Sequence, residues 1–195
     1  MSNILKVMGI DPSLRNTGMC LAHVDMLSGK IAWQAIAMVQ TKAADKAKVQ
    51  RQNSADLVSA RELYRGLHRQ FSEWQPNIIT GEVPAGAQDA RAALSFGMSI
   101  MLLASVPVPI IEVVPREVKA ATGMKNATKA EMIEWAHSQA PHLGWHLQDR
   151  NGKTWKKGDL CADNEHMADA MASVAACVET VQFAQLMAVV GRSAA

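Results

Sequence analysis

Near the N-terminus, apolar residues come in short runs cut off by chain breakers. Ile4-Leu5-Lys6-Val7-Met8-Gly9-Ile10 is mostly apolar and stops at Asp11-Pro12. It is too short for a helix and is flanked as a buried strand is. Met19 to Val24 and Ile31 to Val39 repeat the pattern, and Asp25-Met26-Leu27-Ser28-Gly29-Lys30 between them carries a Ser-Gly turn, so the pair reads as a hairpin. From Thr41 to Phe71 the chain becomes charged, with Leu57, Val58, Leu63, Leu67 and Phe71 at helical spacing. Asn77 to Val83 reads as strand, Gln88 to Ala104 as helix, Val108 to Val114 as strand and Thr128 to Gln139 as helix. A last helix is expected from Glu165 to about Val190.

Leading antiparallel strands followed by alternating strands and helices predict an α/β domain, a mixed five-stranded sheet with helices on its faces. No repeat, low-complexity tract or Pro/Gly/Ser linker divides the chain, so residues 1–195 read as one domain. Residues 141–163 do not fit the alternation. They hold Trp145, Trp155 and an Asn151-Gly152 turn, around which His146-Leu147-Gln148 and Lys153-Thr154-Trp155 are expected to pair as a small hairpin. This stretch reads as an exposed excursion before the last helix.

Composition narrows the class. The 195 residues are 49% hydrophobic and 19% charged, which is ordinary for a globular chain with a core of its own. Cys20, Cys161 and Cys177 are odd in number and lack a CxxC pair, which favours a reduced, cytoplasmic protein over a disulfide framework. The most apolar stretch, Phe96 to Ile111, is interrupted by Gly97, Ser99, Ser105, Pro107 and Pro109, and the N-terminus has no long apolar core. Membrane and secreted readings are therefore not expected. The net charge of +2 says little, but its distribution says more: Arg116, Lys119, Lys125 and Lys129 face only Glu117 in their segment, while Arg150, Lys153, Lys156 and Lys157 have no acid among them.

Four features carry candidate chemistry. Asp11 ends the first strand, and Glu82 closes Ile78-Ile79-Thr80-Gly81-Glu82 in the same way, at the strand ends where sheet proteins place ligands. His166 and Asp169 lie three apart on a helix and so share a face. The fourth is the basic segment Arg116 to Lys129 around Gly123. Each has an ordinary structural reading: Asp-Pro as a turn, Glu82 as a solvated strand end, Asp169 as an acid complementing the helix dipole, a charge run as a solvated face. Asp163 reads as an N-cap of the last helix and Thr128, with Glu131, as the cap of the helix before it.

Taken in order, these segments resemble a known family. Gly9-Ile10-Asp11-Pro12-Ser13-Leu14-Arg15-Asn16-Thr17-Gly18 is similar to the opening motif of RuvC-type Holliday junction resolvases, of the RNase H-like nuclease superfamily. Glu82-Val83-Pro84 with Ala90-Arg91-Ala92-Ala93-Leu94-Ser95-Phe96-Gly97 resembles their second acidic motif and following helix. Val114 to Gly123 with Ala127-Thr128-Lys129 resembles their basic segment, and His166-Met167-Ala168-Asp169-Ala170-Met171-Ala172 their closing motif. The resemblance implies an RNase H-like fold and a metal-dependent nuclease acting on Holliday junctions or related branched DNA as a homodimer. It makes Asp11, Glu82, His166 and Asp169 the metal-binding catalytic set, Lys119 and Lys129 lysines near the scissile phosphate, and Gly97 part of a dimer helix. The chain departs from the family where many members have Asp in place of His166. It also has Pro84-Ala85-Gly86 where the family often carries a wedging aromatic, and its 141–163 excursion is long. These departures suit a phage or other mobile-element origin.

The residue types suit that chemistry. Two divalent ions about 4 Å apart can generate hydroxide and hold the leaving oxygen of a phosphodiester. Carboxylates supply the hard oxygens that Mg²⁺ or Mn²⁺ requires, and a histidine nitrogen tilts the preference towards Mn²⁺. Mn²⁺ activity is thus expected at least to equal Mg²⁺ activity. Arg116, Lys119, Lys125 and Lys129 would meet backbone phosphates. Trp145 and Trp155 are open between base stacking and core packing, as are Met98, Met101, Leu102 and Leu103 between core and a two-fold interface. Two other readings compete: an actin-like phosphate-binding ATPase fold, which ordinarily needs two such domains, and a non-catalytic branched-DNA-binding module.

Overall fold

The computed structural model describes residues 3–41, 51–83, 86 and 89–193. Five strands form one sheet: β1 (Ile4–Asp11), β2 (Asn16–Asp25), β3 (Ile31–Gln40), β4 (Ile78–Glu82) and β5 (Ile110–Val113), in the order β3-β2-β1-β4-β5. β1, β2 and β3 are antiparallel neighbours, whereas β4 and β5 join parallel to β1. The β2–β3 hairpin closes where Asp25 Oδ1 accepts from the Leu27 and Ser28 amides and Gly29 takes φ 69°. This is the mixed sheet the alternation predicts.

Strand parity sorts the core. Met8 and Ile10, with Met19, Leu21 and Ile79, face α1 (Gln52–Trp74) and α2 (Ala90–Ala104), where Leu63, Leu67, Leu102 and Leu103 meet them. Leu5, Val7, Cys20, Ala22, Ile78 and Val113 face α3 (Pro115–Ala121), α4 (Lys129–Gln139) and α5 (Glu165–Val178). Helices thus cover both faces. The expected helix from Thr41 is seen only from Gln52, and residues 42–50 lie outside the described residues, as does Gln88 before α2.

Three expectations need correction. The last helix is two, α5 and α6 (Val181–Ser193), bent by 63°. Thr180 starts the second, its Oγ1 accepting from the Phe183 amide while donating to the Cys177 carbonyl. Asp163 does not cap α5. It lies in a 3-10 turn (Ala162–Asn164), where its Oδ2 accepts from Gln40 Nε2 at 3.0 Å and meets His146 Nδ1 at 3.1 Å. In the excursion, residues 146–148 pair with 158–161 and not with 153–155: Cys161 N donates to His146 O, Gln148 N to Asp159 O and Gly158 N to Gln148 O. Asn164, fully buried, bonds the His146 backbone through both its amide atoms and so clamps the excursion to the start of α5.

Thr128 caps α4 as expected, its Oγ1 accepting from the Glu131 amide while Glu131 Oε2 accepts from Thr128 N. Trp145 is core: it is buried, and its Nε1 donates to Ala140 O at 2.9 Å. Among the described residues no single helix is long and apolar enough to cross a membrane.

Candidate active site

Two features of the sheet bring the acids together. The β1–β4 register pairs Ile10 with Gly81, so Asp11 and Glu82 are the next residues on adjacent parallel strands. Both share parity with Val7 and Ile78, whose side chains face α5. In parallel strands equal register and parity put side chains on one face at one edge. That edge is the carboxyl end of the parallel strands.

The third feature is the closeness of α5. A Cβ at Gly18 would lie 2.1 Å from the His166 carbonyl oxygen, and one at Gly9 would lie 2.2 Å from that of Ala170. Only glycine lets the helix backbone rest on β1 and β2 at those points. Ala168, Ala170 and Ala172 keep the helix side equally slim, and all three are buried. Helical spacing then puts His166 and Asp169 over the strand ends.

His166 Nδ1 lies 2.7 Å from Asp11 Oδ2, and the Asn16 side-chain amide lies 3.2 Å from its Nε2. With the amide nitrogen donating to Nε2, the ring carries its proton on Nδ1 and gives it to Asp11. Both nitrogens are therefore engaged, and ligation by Nε2 requires Asn16 to let go. Burial opposes charging of the ring, but the Asp11 bond and the carboxylates of Glu165 and Asp169 outweigh it and raise the His166 pKa.

The acids bear on one another. Burial, then the charges of Asp11, Glu165 and Glu82, push the Asp169 carboxyl up to about 7. Burial and Asp11 raise Glu82, and Lys119 partly offsets them. Uncompensated, half-buried carboxylates disfavour their own ionisation, and a cation relieves this. Among the described residues no three His, Cys, Asp or Glu side chains are already arranged to hold one metal ion. The donor chemistry of Asp11, Glu82 and Asp169 nevertheless fits a divalent ion: hard oxygens, clustered negative charge and partial solvent access.

The basic residues divide. Lys129, at the start of α4, pairs with Glu165 at 2.8 Å, and Asp169 and Asp11 add to the rise in its pKa. Lys119, on α3, is exposed and acts on Glu82. Arg116 and Lys125 are exposed and take no ion pair among the described residues. Pro84 and Ala85 lie outside the described residues. Sequence reasoning passed over Glu165 and Asn16. Asn16 stands inside the opening motif, at the start of β2, and Glu165 immediately before the closing one, beside His166.

No family model and no curated protein matches the sequence. Solved structures do. Thermus thermophilus RuvC in complex with a Holliday junction substrate aligns over 88% of this chain and 92% of its own, with TM-score 0.58 and 17% identity. A second T. thermophilus RuvC structure aligns over 93% and 96%, with TM-score 0.55 and 16% identity. The yeast mitochondrial Holliday junction resolvase covers 93% of this chain and 84% of its own, with TM-score 0.50 and 16% identity. The sheet order, the helices on both faces and these alignments together give this chain the RNase H-like fold of RuvC-type Holliday junction resolvases.

Proposed function

We propose that this chain is a divalent-metal-dependent endonuclease that hydrolyses phosphodiester bonds in four-way junctions or related branched DNA, acting as a homodimer. The observation that carries this reading is the meeting of Asp11, Glu82 and Asp169, from three separate elements, at one sheet edge beside a His166–Asp11 pair. A structural role for so many half-buried acids would leave their mutual repulsion uncompensated. The likeness to a RuvC solved with a Holliday junction supports the choice of substrate.

Asp11, Glu82 and Asp169 would hold Mg²⁺ or Mn²⁺, two ions in the fullest form. When bound, such ions polarise the phosphate and lower the pKa of water. The chain's own residues do the rest. His166 fixes the orientation of the Asp11 carboxylate through Nδ1, and Asn16 fixes the ring. Lys119 and Lys129 flank the acids, so a phosphate held by them is kept over the carboxylates. Arg116 and Lys125 extend the basic rim along α3 and the following loop, giving affinity and register without base reading.

The test is incubation of the full chain with labelled four-way, three-way, flap and linear duplex DNA in Mn²⁺ or Mg²⁺. Branched substrates should be cut, and Asp11→Asn should lose more than about 100-fold of that activity while still binding junctions in EDTA. Tight junction binding without cuts by the unaltered chain would replace the nuclease reading with the non-catalytic one. ATP turnover would favour the actin-like reading.

A further inference from the structure

The 146–161 hairpin takes no part in the site above, yet it is built with care. Three contacts brace its tip: Gly152 N donates to Trp155 O, Lys157 N to Asn151 Oδ1 and Lys156 N to Asp159 Oδ2. Its base is held by the Leu147–Leu160 bridge and by Asn164. What the scaffold presents is an indole. Trp155 is 44% exposed, and a Cβ at Gly152 would lie 2.1 Å from its Cε2, so glycine there lets the ring lie on the backbone.

Trp155 also walls a cleft of about 590 Å³ between the hairpin and α4, lined by Ile133, Glu134, Gln148, Asp159 and the Lys129–Glu165 pair. Glu165 precedes His166, so the cleft opens next to the candidate active site. Its chemistry is divided. Inside are an aromatic face, the aliphatic side chains of Ile133 and Leu160, the Glu134 and Asp159 carboxylates, which repel phosphate, and the Gln148 amide; these acceptors suit the N–H donors of a nucleobase. Outside, Arg150, Lys153, Lys156 and Lys157 are exposed at the hairpin tip against Asp149, which lies 4.0 Å from Arg150.

We propose that this cleft receives an unpaired base of the branched DNA against Trp155, with the adjoining phosphates on the lysines of the hairpin tip. The inference rests on the reading of the chain as a branched-DNA protein, and it adds a second contact that selects branch points with a splayed nucleotide. Base–aromatic stacking is sequence-tolerant and strengthens binding of unpaired bases, while rim lysines add salt-dependent affinity.

The test measures binding by fluorescence anisotropy in EDTA, with three labelled DNAs: a junction with one unpaired nucleotide at the branch, a fully paired junction and a linear duplex. The unaltered chain should prefer the unpaired junction. Trp155→Ala should weaken that complex by about tenfold while changing duplex binding less than about twofold, and Trp155→Phe should keep most of the preference. A 2-aminopurine placed as the unpaired base should be quenched by the unaltered chain and not by Trp155→Ala. Absence of any preference, an unchanged Trp155→Ala, or an equal loss on all three DNAs overturns the proposal; if the alanine variant misfolds, a 2-aminopurine left unquenched by the unaltered chain overturns it. Because no metal is needed, a chain that shows the preference but never cuts sinks the nuclease reading and leaves this one standing. A chain that cuts junctions with Trp155→Ala equal to the unaltered chain does the reverse.

Discussion

Asp169 sets the electrostatic character of the site at the scale of single residues. Its carboxyl is pushed from an ordinary 3.8 up to about 7, by burial first and then by Asp11, Glu165 and Glu82. Between those two values the folded chain holds a proton that the unfolded chain has released. The resulting stability is complete below the ordinary carboxylate range and is lost as pH rises through about 7. In EDTA, therefore, the melting temperature should fall between about pH 4 and pH 7, beyond what the other groups produce. Asp169→Asn, which keeps the shape and removes the charge, should melt roughly 2–8 °C above the unaltered chain at pH 8 and near it at pH 4.5. Adding Mn²⁺ at pH 8 should raise the unaltered chain and barely move the variant, since an ion that binds only the folded state stabilises it. A difference that is flat across pH, read by calorimetry, would mean that Asp169 is not held among other acids.

Among the elements, the contact of α5 with β1 and β2 decides whether the acids meet at all. Gly18→Ala would place a methyl on the His166 carbonyl, a backbone atom that cannot swing aside. We expect a cost of about 1–3 kcal/mol in denaturant unfolding. Junction cleavage should fall further, by about 100-fold, because a displacement near 1 Å at a catalytic group is enough for that. A variant destabilised as expected but fully active would show that α5 does not set the site geometry. This contact also explains what could be read from the chain and what could not. The strands were legible from their apolar runs, and Asp11 and Glu82 from their place at strand ends. The close approach was not legible, since nothing in the local sequence around Gly9, inside a strand run, or Gly18, just before one, tells which helix backbone each of them meets. α3 spans only seven residues, too few for periodicity, although Pro115 at its first turn and Glu117, whose Oε2 accepts from Val114 N, were visible signals. The break before α6 hid behind continuing apolar residues, with Thr180 as its one marker. The hairpin register was misjudged because Asn151-Gly152 suggests a tight two-residue turn, whereas the chain forms a longer loop closed by Gly158 at φ 94°.

For the whole molecule, the proposed function requires one chain to meet a four-way junction, which has two equivalent scissile phosphates. A two-fold dimer matches that symmetry, and the structure leaves a face suited to it. On α2, Leu102 and Leu103 turn into the core, while Leu94, Ile100 and Met101 are exposed, the last by 66%. Beside them Tyr64, Met98 and Met101 line a groove of about 400 Å³ between α1 and α2, and Arg91 of α2 bonds Asp56 of α1 through two nitrogens, which holds the two helices as one surface. That surface is not isolated from the chemistry. Ser99 Oγ donates to the Pro12 carbonyl, tying α2 to the loop after Asp11, so a second copy seated on α2 would be joined to each site through that loop. Met101→Glu places a charge at the centre of such an interface, where burying it unpaired is costly. Sedimentation should show a dimer for the unaltered chain and a monomer for the variant, with the melting temperature of the domain little changed because Met101 is exposed. On a supercoiled plasmid bearing an extruded cruciform, the dimer should release linear product from paired cuts, and the variant should give mainly nicked circles. An unaltered chain that sediments as a monomer yet still linearises the plasmid would remove α2 from the account and leave the paired cuts to successive binding events.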